Sequence, residues 1–256
     1  MKKLTAVIPF ALFSLFALLA LFVPLYTDFD GTGKYNYTDI GWMLIASALV
    51  LLMTPGLSFF YGGMVSKKNV ISLAFGSSFN GLIGNPADFF LFKGINSQGP
   101  WSLAPTIPLL LFALFQLKFA IITPALVVGG TAERIRFTSY ILFMVMFSIF
   151  IYSPLAHWTW HPEGILFKMG VLDFAGGTVV HISAGCAALM GAIVLKRRKA
   201  HILKEEVKPA RIPYVLLGTG LLWFGWFGFN AGSALAVNSL AVSAFGTTNI
   251  ASAAAG

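Results

Sequence analysis

Long apolar runs separated by short polar stretches dominate this chain, and its basic clusters sit where those runs end. The first run, Leu4–Leu25, follows Met1-Lys2-Lys3. A basic start before an apolar stretch predicts a signal peptide or an N-terminal anchor helix over 1–25. The run is long for a signal sequence, and no convincing small-residue cleavage site follows it. Polar residues 26–38 are expected outside the cell in either case. Further spans are expected over about 39–65, 104–130, 138–159, 174–195 and 213–235, each near the ~20 apolar residues that a bilayer crossing needs.

Charge gives these spans a direction. Lys67 and Lys68, Arg134 and Arg136, and the run Lys196-Arg197-Arg198-Lys199 mark cytoplasmic ends, because basic residues concentrate on that side. The sides then alternate except at one place. The chain is inside at Lys68 and inside again at Arg134, with one clear span between. Residues 69–103 must supply another crossing. They hold Asn80, Asn85, Pro86, Asp88 and Lys93, which make a poor transmembrane helix. Either a broken or re-entrant piece is buried in protein there, or a helix that belongs there is missing. Residues 247–256, TTNIASAAAG, read as the start of one more helix.

Composition agrees with the pattern. Of 256 residues, 57% are hydrophobic and only 10% are charged, too few charges to cover a soluble domain. The expected fold is an all-α integral membrane protein, a polytopic helical bundle. The net charge of +8 does not point to nucleic acid, because it is placed at span ends. Cys186 is the single cysteine and lies within a span, so it forms no internal disulfide and reads as a small packing residue.

Few residues in the spans can carry chemistry. With essentially no charged pair inside them, hydrolytic or redox catalysis has little to work with, so neither an enzyme nor a cofactor is expected. His181 lies roughly 12 Å past Asp173 at ~1.5 Å per residue, inside an apolar helix, where a titratable ring is costly and marks a functional site. His157 and His161 are four apart with Glu163 nearby, a spacing that suits a metal. Pro162 and an interfacial position favour a His/Trp belt instead. Phe115 and Phe119 share one helix face, as do Phe229 and Ser233. Trp160 and Ser233 are expected outermost, Phe119 and Phe229 deeper, and His181 deeper still. Aromatic faces attract a cation, and a serine oxygen accepts a hydrogen bond from a small donor. Asp173 can cap the helix that follows it and also draw a cation to the entrance. Ala184, Gly185, Ala187, Ala188 and Gly191 give a small surface for close helix packing.

These residues resemble the ammonium transporter (Amt/Mep/Rh) family. The matching stretches are TPGLSFFYGGMV (54–65), FQLKFAIITPALVVGGTAERIRF (115–137), DFAGGTVVHISAG (173–185) and GWFGFNAGS (225–233), in order along 39–256. The resemblance implies a homotrimer of eleven-helix subunits in the cell (inner or plasma) membrane, each with its own pore for ammonium or ammonia. It implies that Phe115, Trp160 and Ser233 form an outer recruitment site supported by Asp173. Phe119 and Phe229 would form a phenyl gate, and His181 would be the first of two pore histidines. Lipid surrounds such a protein, and a PII-type regulator is a further partner of the family.

Three features depart from the family pattern. KKNVISLAFGSSF (67–79) joins the first family helix to the loop expected after the second. The chain ends as the seventh helix begins, so the inverted repeat is incomplete and the second pore histidine is absent. Lys118 occupies a mid-span position where an uncharged residue is expected; unpaired, it costs ~2.5–3.5 kcal/mol. Two other readings stand beside a defective or partial transporter. One is an ammonium-sensing module of a signalling receptor. The other is a metal-dependent membrane enzyme using His157 and His161.

Overall fold

The computed structural model describes residues 35–61, 74–76, 78–79, 81–85, 88–89, 92–97, 99–204 and 211–255. The expected signal or anchor segment 1–25, and Lys67 and Lys68, lie outside the described residues. Five of the described helices are long and apolar enough to cross a membrane: Tyr37–Leu57, Leu109–Thr131, Phe137–Lys168, Gly177–Leu195 and Ile212–Gly232. A sixth long helix, Ser239–Ala255, follows them. The chain is an integral membrane protein of all-α type.

Helix α1 spans Tyr37–Tyr61. It starts where the Asn36 side-chain oxygen accepts the N–H groups of Thr38 and Asp39, at 2.9 and 3.3 Å, as an N-capping residue does. Helix α2, Leu109–Leu126, is the most enclosed and carries buried Leu111, Phe112, Phe115, Phe119 and Ile122. Helix α3, Phe137–Phe147, widens into a π-turn at Ser148–Tyr152 and resumes as α4, Ser153–Trp160. Pro154 stands directly behind that turn and has no N–H to return to the preceding turn, so the ladder loosens there. A second π-turn, Gly177–Ile182, opens into α5, Ser183–Leu195. Helices α6, Ile212–Gly232, and α7, Ser239–Ala255, complete the order.

Helices α1 and α6 form the most extensive pair. Glycine permits their approach. A Cβ on Gly228 would lie 2.6 Å from the Leu49 Cβ and 2.7 Å from the Ala46 carbonyl oxygen. One on Gly232 would lie 2.8 Å from the Ala46 Cβ and 2.9 Å from the Phe115 ring. Close backbone contact of this kind supplies dispersion energy where lipid offers no hydrophobic drive. At the end that carries Arg134, Gly130 meets the Ala188 carbonyl and Gly191 meets the Thr131 methyl. The expected small surface of α5 is therefore partly used; Gly185 faces open space. Arg134 ties this end together by donating to the carbonyl oxygens of Gly130 and Lys196.

The expectation that 69–103 crosses the membrane is corrected for its described part. Residues 78–79 and 83–84 form a minimal antiparallel hairpin, and Ile95–Ser97 a single 3-10 turn. None of this is long enough to span. It caps the outer end instead: Leu82 accepts the Trp158 indole N–H at 2.6 Å, and Ala74 and Ser78 bond the His157 ring. Residues 69–73, 77, 80, 86–87, 90–91 and 98 lie outside the described residues.

The opposite face is bare among the described residues. Ile182, Leu189, Met190, Ile193 and Val194 of the α5 span, and Leu216 and Phe224 of α6, are exposed.

Candidate functional site

A cavity of about 360 Å³ opens at the outer end, walled by Phe75, Trp101, Phe112, Trp160 and Leu235 and reaching Phe119, Asp173 and Ser233. Three elements build it. Helix α2 supplies Phe112, Gln116 and Phe119, which share one face at i, i+4 and i+7 spacing. Helix α4 ends in Thr159 and Trp160. Helix α6 ends at Gly232 with Ser233 as its C-cap.

From the cavity inward the aromatic rings form a series. Trp160 meets Phe119 edge-on at 6.0 Å between centroids. Phe119 stacks on Phe229 at 4.2 Å and 28°. Phe229 lies 6.0 Å from the His181 ring. Both phenyl rings are fully buried, so their stack closes the floor of the cavity. Phe115 is equally buried but does not line the cavity; it braces Phe119 edge-on at 5.0 Å from behind.

The Ser233 hydroxyl donates to the Phe229 carbonyl at 2.8 Å. Its hydrogen is thereby committed, and its oxygen lone pairs remain to accept a bond from the cavity. Asp173 is spent differently. Its carboxylate accepts the N–H groups of Gly176 (2.5 Å), Gly177 (2.8 Å), Thr178 (2.9 Å) and Val179 (3.0 Å). The turn is sharp enough to need Gly176 at φ 92°. The Asp173 backbone carbonyl accepts the Trp160 indole N–H at 2.9 Å. One residue thus caps the π-turn that carries His181 and also fixes the Trp160 ring against Phe119.

His181 is exposed along the uncovered face of this chain, with Trp226 stacked on its ring at 5.5 Å and 11°. Trp226 was not singled out from the sequence. Its spacing of three from Phe229 on one helix face was the available signal. Asp39 was missed as well: it is buried, and its carboxylate accepts the Val237 N–H at 2.8 Å, anchoring the turn after Ser233. Lys118 is half-buried and does not line the cavity.

His157 is not part of an interfacial belt. It is completely buried, with Nδ1 3.0 Å from the Ala74 carbonyl and Nε2 3.0 Å from the Ser78 hydroxyl. His161 stacks on it at 4.4 Å and accepts the Glu163 N–H at Nδ1. With both His157 nitrogens engaged, the pair latches the outer cap to α4 rather than presenting ligands to a metal. Among the described residues no group of three potential ligands converges.

The family model described as Ammonium Transporter Family matches residues 41–75 and 71–256. This chain belongs to the ammonium transporter family. The two matches overlap at 71–75, within the KKNVISLAFGSSF stretch of residues 67–79. An ammonium transporter of Mycobacterium tuberculosis is 43% identical over an alignment 260 positions long that covers 85% of this chain and 54% of the relative. One of Aquifex aeolicus is 44% identical over 244 residues, 85% of this chain and 55% of that protein. The chain therefore spans about half the length of the curated relatives it matches. Among solved structures, Saccharomyces cerevisiae Mep2 superposes with a TM-score of 0.76 at 34% identity, covering 88% of this chain and 55% of that one. A protein described as Sensor Amt Protein does so with 0.72 at 30% identity, covering 86% and 60%. The family is one of transporters, not enzymes.

Proposed function

We propose that this chain builds the outer recruitment site and entry gate of an ammonium pathway. Trp160, Ser233 and the Phe115-braced Phe119 hold the ion. Trp160 and Phe119 offer aromatic faces to the cation, and Ser233 offers a lone pair to one of its N–H groups. Asp173 sets the Trp160 ring and the π-turn. The stacked Phe119 and Phe229 rings form the gate, and His181 receives what passes it. The observation that carries this reading is the unbroken ring series from the cavity through Phe119 and Phe229 to His181.

The gate sets the chemistry. Between the stacked phenyl rings no carboxylate replaces the hydration of an ion, and moving an unpaired ammonium into such surroundings is very costly. Ammonium therefore gives up a proton to cavity water at the gate: NH₄⁺ and H₂O become NH₃ and H₃O⁺, and the neutral molecule enters the apolar section apart from the proton. The exposure of His181 supports a further reading, that the 256 residues alone do not conduct because no described residue walls the far side of the histidine. The sensor alternative draws no separate support, since the sensor structure matches no better than Mep2.

Two measurements test this. Calorimetric titration of ammonium chloride into the purified chain in lipid nanodiscs is expected to show saturable binding that Trp160→Leu weakens at least about tenfold, the loss expected for a desolvated cation–π contact of ~2 kcal/mol. Equal binding by the variant would remove the recruitment role. In proteoliposomes the same chain is expected to give no ammonium-dependent current. A current would refute the reading that it does not conduct alone.

A further inference from the structure

Among the described residues, seven of the eight buried serine and threonine hydroxyls donate to a helix carbonyl: Ser47, Thr123, Thr131, Ser148, Ser153, Ser183 and Thr248. Thr159 is the exception. It is 2% exposed, sits in the last turn of α4, and its hydroxyl has no partner among the described residues. The Gln116 side-chain oxygen, on α2, is also covered and unpartnered. Both side chains line the outer cavity, together with Phe119, Trp160 and Ser233. Thr159 is the chain neighbour of Trp160, and Gln116 lies three residues before Phe119.

A buried acceptor left unpaired loses its hydration without return, and native interiors avoid this unless the group awaits a ligand or water. Two such oxygens in one aromatic-walled cavity form a polar complement to the ring faces. The Thr159 hydrogen turns about its Cβ–Oγ bond without displacing a heavy atom, which frees a lone pair for an incoming donor.

We propose that Gln116 and Thr159 are specificity-determining acceptors in this cavity, reading the number of N–H groups on the bound cation. This deepens, and rests on, the recruitment reading above. Trp160 and Phe119 hold charge without counting hydrogens. Ser233 accepts one N–H. Gln116 and Thr159 accept two more, so an ion with three or more N–H groups gains over dimethylammonium, which has only two. A methyl turned toward either oxygen leaves that oxygen buried and unsatisfied, and this is where discrimination is largest.

The test titrates ammonium chloride and dimethylammonium chloride separately into the 256-residue chain in nanodiscs, for wild type, Thr159→Val, Thr159→Ser and Gln116→Leu. Circular dichroism confirms that each variant is folded. Thr159→Val and Gln116→Leu are expected to weaken ammonium binding about tenfold, the loss of one hydrogen bond to a charged group, and dimethylammonium binding, which already leaves one acceptor unused, by less than about threefold. Thr159→Ser, which keeps the hydroxyl, is expected to match wild type. Equal ammonium affinity in wild type and Thr159→Val overturns the inference while leaving the recruitment site standing. So does an equal loss for both cations, the result of a bridging water or a purely structural role. Absence of ammonium binding by wild type overturns the recruitment reading and this inference with it.

Discussion

Asp173→Ala removes the acceptor of four backbone N–H groups in one substitution. The Gly177 amide is exposed and finds water; those of Gly176, Thr178 and Val179 are part-buried. At ~1 kcal/mol of net stability for each of these three bonds, the loss is about 3 kcal/mol, a large share of a marginal total. Asp173→Asn keeps one oxygen as an acceptor and is expected to lose roughly half as much. The Trp160 indole bonds to the backbone carbonyl of residue 173 and survives both changes in principle. The effect on ammonium binding is therefore expected to follow the loosening of the turn. Unfolding in detergent, followed by tryptophan emission, is expected to rank the proteins wild type, Asn variant, Ala variant in falling stability. An Ala variant with the wild-type midpoint would refute the capping account. An Asn variant as weak as the Ala variant would show that the charge, not the acceptor geometry, holds the turn.

Other substitutions test the remaining contacts. Gly228→Val places side-chain atoms where Leu49 and the Ala46 carbonyl already stand; it is expected to cost at least ~1–3 kcal/mol by overpacking, whereas Gly220→Ala, with nothing within 4 Å, should unfold at or above the wild-type midpoint. Lys118→Leu removes a charge from mid-span and is expected to raise stability by up to ~3 kcal/mol; a lower unfolding midpoint would show that the ammonium group has a partner. His181→Ala, made in a full-length family context, is expected to alter ammonium uptake or its selectivity over methylammonium, and unchanged uptake would remove its role. Ser78→Ala takes one partner from the buried His157 ring and is expected to destabilise the outer cap by ~1–3 kcal/mol, read as faster proteolysis within 74–106.

The spans were legible because twenty-residue apolar runs and basic ends are local properties. Trp160, Ser233, Phe119, Phe229 and His181 could be ordered by depth from the same runs, and the structure brings them together around one path. Other assignments needed neighbours. Phe115 and Phe119 look equivalent on a helical wheel, yet only Phe119 reaches the cavity, because Gly232 brings α6 against Phe115. His157 suggested an interface and is instead sealed beneath the hairpin at 78–84, a segment with no strong pattern of its own.

The sequence alone therefore determined what is written in one dimension: which runs are long and apolar enough to cross a membrane, which ends are basic, and the order in which the aromatics fall along each run. It could not determine which face of a span packs. Helices such as α2 and α6 are apolar around their whole circumference, so no amphipathic stripe marks the buried side. That choice was made by the tertiary structure, through glycines that admit a neighbouring backbone at 228 and 232. It was also made by Asp173, whose carboxylate oxygens take up the amides of the turn below Trp160.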